Sequence, residues 1–184
     1  MKELLADFRE AIKVYNPVLD RVLNVGLSRS EVEAAIEKIP FEITPDAIDL
    51  YTWANGVSDI WVNLIPYSSL LPISNAIEMF RHSQDSPLAK LGIEEPLSPT
   101  FLFLTDRSDG GYAFGAVSAP CNGCIIKHNI HDARSIAFES LSQLVEACIH
   151  MYRTSDPIED GEWEIFDFMR SVSELFPHLK PNWT

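Results

Sequence analysis

Apolar positions recur at helical spacing at both ends of the chain and at strand spacing in its middle. Leu4, Phe8, Ile12 and Tyr15 fall three or four residues apart, which predicts a helix that Pro17 stops. A second apolar group, Val18, Leu19, Val22 and Leu23, runs up to Gly26. Ser28-Arg29-Ser30-Glu31-Val32-Glu33 then holds two overlapping capping boxes, Ser28 with Glu31 and Ser30 with Glu33. Either predicts a helix that starts near residue 30 and ends before Pro40.

Thr44-Pro45-Asp46 is a further start signal, with Thr44 as cap and Pro45 at the first helical position. Ala47, Leu50, Tyr51 and Ala54 line one face of that helix. Asn55-Gly56 is expected to end it, because glycine enters the left-handed cap conformation without a clash. The period then changes. Ile60-Trp61-Val62-Asn63-Leu64-Ile65, rich in branched and aromatic residues, reads as a strand. A short helix, about Asn75 to Arg81, follows Ser74, and the prolines of residues 83–100 predict a loop.

Three strands are expected close together, at Phe101–Thr105, Gly111–Ser118 and Cys124–Asn129. Asp109-Gly110 and Asn122-Gly123 are tight-turn signals between them, so neighbours should run antiparallel. Ser140 and Gln143 form another capping box, opening a helix striped by Leu141, Leu144, Val145, Cys148 and Tyr152. After a break at residues 155–161, Ile165, Phe168, Met169, Val172 and Phe176 mark a last helix before Pro177.

Helices, then a strand meander, then helices argue for α+β rather than for alternating α/β units. The expected architecture is a central antiparallel sheet of about four to six strands flanked by helices. The 184 residues suit one domain, with a core over about residues 30–153 and helical extensions at 1–26 and 156–184.

Composition adds a bias of charge. With 27 acids against 14 bases, the formal net charge is -13. Such a surface disfavours nucleic acid and anionic membranes, whose binding relies on Lys and Arg. It favours a basic protein and speeds the encounter with one. Acids interrupt the first residues, so no signal peptide is expected, and no apolar run reaches the ~20 residues of a membrane helix. Three cysteines are too few for a disulfide framework, and a reducing cytoplasm is the expected compartment.

Candidate chemistry is sparse. No phosphate-binding loop, nucleophile elbow or His-Glu-x-x-His motif occurs. Cys121, Cys124, His128 and His131 are possible zinc ligands by type. Their spacing is much more compact than a zinc-finger pattern, and the two cysteines flank the Asn-Gly turn, so no metal, cofactor or catalytic role is assigned. Asp106, Asp109 and Asp132 are expected as turn residues before paired catalytic carboxylates. His150 lies off the apolar stripe of its helix and is expected to face solvent.

The acidic run near the C-terminus is the candidate protein interface. Asp156, Glu159, Asp160, Glu162, Glu164 and Asp167 surround Trp163, with no Lys or Arg from Thr154 to Met169. Acids favour the first turn of a helix, and the aromatics here are expected as core before interface. Aromatic anchors beside charge are also what interfaces use.

The ordered series Trp53-Ala54-Asn55-Gly56, Leu70-Leu71-Pro72-Ile73, Phe101 to Phe114 with Asp109-Gly110-Gly111, Gly123-Cys124-Ile125-Ile126 and Phe138 to Leu144 resembles the SUKH superfamily. That group contains fungal cell-wall assembly and glucan-synthesis regulators and many bacterial immunity proteins. The likeness covers about Val32 to Tyr152. Val57 and Gly115 stand where members often carry glycine and an acidic residue. The resemblance implies an α+β domain without a catalytic constellation. In bacteria it most often implies an immunity protein that neutralises a toxin, frequently a nuclease; the alternative is a regulatory or scaffolding protein. Trp53, Asn55, Gly56, Asp109, Gly110 and Gly111 carry over as fold determinants only.

Overall fold

In the computed structural model the first helix, α1 (Lys2–Tyr15), buries Leu5, Phe8, Ala11 and Ile12. The buried stripe begins at Leu5 rather than Leu4, and Tyr15 stands partly in solvent. Pro17 ends α1 and also begins α2 (Pro17–Val22), where the proline takes the first turn and needs no N–H. Asn16 makes the joint: its buried side chain accepts the Leu19 N–H at 3.0 Å. The structure describes residues 1–85, 100–106, 110–118, 121–128, 135–157 and 163–179.

The capping boxes largely act as read. α3 (Arg29–Ile36) starts on Ser28, whose hydroxyl takes the Glu31 N–H while the Glu31 carboxylate takes the Ser28 N–H. α6 (Leu141–Thr154) is capped by Ser140, but Gln143 reaches one residue further back, to the Glu139 N–H at 2.9 Å. α4 spans Asp46–Trp53, and α5 spans Ile73–Asp85, longer at both ends than expected. α7 covers Ile165–Leu175. The loop expected at residues 83–100 lies, from 86 to 99, outside the described residues.

The described residues contain two antiparallel sheets. β1 (Leu23–Val25) pairs with β2 (Ala54–Val57) in a two-stranded ribbon. β3 (Ser68–Leu70), β4 (Thr100–Asp106), β5 (Gly111–Gly115), β6 (Ile125–His128) and β7 (Ser135–Phe138) form a five-stranded meander in chain order. The fold is therefore α+β with an antiparallel sheet, as the element order implies. No described helix is long and apolar enough to cross a membrane.

A bulge in β4 concentrates aromatic side chains on the core face. Phe101 pairs with Phe114 and Leu104 with Tyr112, leaving Phe103 as the extra residue between them. A one-residue slip reverses which face a side chain takes, so Phe101 and Leu104 both join the face of Tyr112 and Phe114. Phe103 stacks on Phe114 with ring centroids 4.3 Å apart. The terminal helices complete the same buried cluster: Phe8 of α1 stacks on Trp53 of α4, and Phe168 of α7 packs against Phe138 of β7.

Two expectations are corrected. Residues 60–65 form no strand; they are a folded loop in which only Ile65 makes an isolated bridge, to Ser68. Branched and aromatic content alone suggested a strand, but the loop lacks alternation and its carbonyls are taken by side chains. Asn55-Gly56 is not a helix cap, since α4 ends at Trp53 and Ala54 is already extended (φ −153°, ψ 133°). Gly56 does hold the positive φ, +77°, but within β2.

Candidate functional site

The acidic C-terminal stretch divides once folded. Asp156 and Glu164 are exposed, whereas Glu159, Asp160 and Glu162 lie outside the described residues. Trp163 is only 4% exposed. Its ring meets Tyr152 edge-on at 4.4 Å and its Nε1–H points at the Ser155 carbonyl, 3.4 Å away. The indole belongs to the core and cannot serve as a surface anchor in this conformation. Asp167 is paired with Arg170 at 2.8 Å. Phe166, three residues after Trp163, stays exposed.

His150 does not face solvent alone. Its Nδ1 lies 3.1 Å from the Ser171 hydroxyl and its Nε2 3.5 Å from a Glu174 oxygen, so it bridges α6 to α7. The apolar stripe missed it because that stripe reports the main core, and α7 covers a second face of α6.

The cysteine turn has closed on itself. Cys121 and Cys124 are joined by a disulfide across Asn122-Gly123, whose residues take φ +49° and +79°. Sulfurs bonded to each other are not thiolate ligands. Three cysteines form no disulfide framework, but a single turn is enough to set two sulfurs side by side and bridge them. His128 lies on β6 with Nε2 3.0 Å from the Thr100 hydroxyl, and His131 lies outside the described residues. Cys148 is buried on α6, and burial pushes its thiol well above the ordinary cysteine range. Asp106 ends β4; Asp109 and Asp132 lie outside the described residues.

The Trp53–Gly56 segment is a structural joint. The Asn55 side-chain oxygen takes the Ile73 N–H at 3.0 Å, and the Asn55 carbonyl takes the Asn24 amide at 3.0 Å. A β-carbon on Gly56 would lie 2.2 Å from the Pro72 nitrogen. Gly111, with φ +147°, has the same constraint from the Leu104 carbonyl at 1.9 Å, and Gly110 beside it is buried.

Large apolar side chains also stand exposed around residues where the sequence predicts a strand. In the loop after β2, Ile60 is 57% exposed, Trp61 63% and Tyr67 49%. The loop is nonetheless well held. Asp59 Oδ1 takes the Trp61 N–H at 3.0 Å, an Asx turn. The buried Ser69 hydroxyl lies 2.7 Å from the Ile60 carbonyl and 3.0 Å from that of Val62. Tyr152 of α6 donates to the Leu64 carbonyl at 2.8 Å. Pro66-Tyr67 closes a turn through the Ser68 N–H to Ile65 O bond, and Tyr67 takes φ +64° where glycine is usual. Asp59 two residues before Trp61 and Pro66 before Tyr67 were the signals that could have found this loop.

No protein-family model matches the chain, and no curated protein matches it.

Proposed function

We propose that the chain is a non-enzymatic binding protein of the immunity type, which occupies and neutralises a basic protein toxin, with a nuclease as the favoured kind. The observation that carries this reading is the pairing of a net charge of -13 with large apolar side chains held out on an ordered loop. Charge of one sign draws an oppositely charged partner at long range, and aromatic anchors then supply short-range affinity. The likeness to SUKH immunity proteins supports the same reading. Nuclease surfaces that bind phosphate backbones are basic, so an acidic protein can compete for them.

The test is genetic and biochemical together. The gene beside this one should encode a toxin, and co-expression of this chain should protect cells from it. A neighbouring toxin whose action is unaffected by the chain contradicts the reading. A regulatory role would instead give a cellular enzyme as partner and no change in toxin sensitivity on loss of the gene.

A further inference from the structure

We infer that the loop Asp59–Tyr67 is the docking surface, and that its occupant is a cationic segment of a partner protein; this rests on the binding role proposed above. Three observations converge on it. The first is apolar exposure: Ile60, Trp61 and Tyr67 are large side chains left largely in solvent on one nine-residue loop. Trp and Tyr are the residues that most often carry interface energy.

The second is order. An exposed loop with no task need not be tied down, yet this one is fastened by Asp59, Ser69 and Tyr152 through three separate hydrogen-bond systems. Tyr67 sits at a positive φ that a residue with a β-carbon adopts at a cost. Pre-organisation of this kind reduces the entropy lost on binding.

The third is charge. From Ile39 to Phe80 the chain carries Glu42, Asp46, Asp49, Asp59 and Glu78 and no Lys, Arg or His. Asp59 stands exposed two residues from Trp61. The adjoining element brings Arg21, next to Val22, whose carbonyl takes the Ser58 N–H at one end of the loop. This pattern selects among occupants. A second copy of a chain at -13 is repelled, as are nucleic acids and anionic lipid. A Lys- or Arg-bearing protein segment satisfies both features: its cation pairs with Asp59 or lies on the Trp61 ring, and its apolar part covers Ile60 and Tyr67.

The experiment uses the full chain and the purified product of the neighbouring gene as probe. Affinity is measured for wild type, Trp61→Ala, Trp61→Phe, Tyr67→Asn, Asp59→Asn and, as control, Phe166→Ala. Circular dichroism first establishes that each variant melts near wild type, as exposed positions should. Trp61→Ala is expected to weaken binding about thirtyfold or more, and Trp61→Phe to restore much of the loss. Asp59→Asn should lessen the dependence of association on salt, and Tyr67→Asn, which tolerates the positive φ, should weaken binding without loss of stability. Phe166→Ala should bind as wild type. Wild-type affinity in Trp61→Ala overturns the inference while leaving the binding role intact, most plainly if Phe166→Ala loses affinity instead. Failure of the wild-type chain to bind the probe overturns the binding role itself, and the inference with it.

Discussion

The Asn55 side-chain oxygen accepts the Ile73 backbone N–H at 3.0 Å, capping α5 from a residue eighteen positions earlier. A helix N-terminus has free N–H groups that need acceptors, and here the acceptor comes from a strand instead of the preceding loop. The bond fixes β2 against the start of α5, while the Asn55 carbonyl accepts the side-chain amide of Asn24 in β1. Asn55→Ala should therefore cost about 1–2 kcal/mol, and Asn55→Asp, which keeps the acceptor, should cost less. Urea titration of the three proteins checks both.

Gly56 should tolerate no side chain. Its φ of +77° disfavours any β-carbon, and that carbon would meet the Pro72 nitrogen at 2.2 Å. Gly56→Val is expected to destabilise by more than about 2 kcal/mol, and Gly56→Ala to lose most of the same amount. Thermal melts that leave both variants near wild type would show that the Leu71–Pro72 backbone gives way.

Acid should weaken the start of α3. The Glu31 carboxylate accepts the Ser28 hydroxyl at 2.6 Å and the Ser28 N–H at 2.8 Å, and these bonds hold its carboxyl below the usual glutamate range. A carboxyl depressed in the folded state contributes stability that is complete above its unfolded pKa and is lost as pH falls through the folded one. Melting temperature should thus fall on acidification from about pH 5 to about pH 3, and Glu31→Gln should lose less over that window. Parallel melts across the range decide it.

The Cys121–Cys124 bond should be visible and modest in effect. Intact protein should weigh two hydrogens less than its fully reduced form. Closing so short a loop contributes at most about 2 kcal/mol in the chain-entropy account, and the Asn122-Gly123 turn already brings the sulfurs together. Reduction should lower the unfolding midpoint slightly and leave far-ultraviolet dichroism unchanged; collapse of the fold on reduction would assign the bond a larger role.

Much of the helical frame was legible in the sequence because its signals are local. Ser28 with Glu31 starts α3, Ser140 starts α6, and the stripe Leu141, Leu144, Val145, Cys148 and Tyr152 is buried as its spacing implies. The short strands β1, β2, β3 and β7 were not legible, since three or four residues carry no measurable period and their pairing depends on distant partners. The candidate site fared worse for a related reason. Trp163 and Trp61 look alike in sequence, each within two residues of an acid. Only the fold shows that Tyr152 and the core enclose the first and that the Asx turn at Asp59 holds the second outward.

The measurement that bears most directly on the account is a titration of this chain with the purified product of the neighbouring gene at low and at physiological salt. Binding of an acidic protein to a basic toxin predicts a saturable complex of fixed stoichiometry whose association rate falls steeply as ionic strength rises. Absence of a complex at either salt concentration would contradict it.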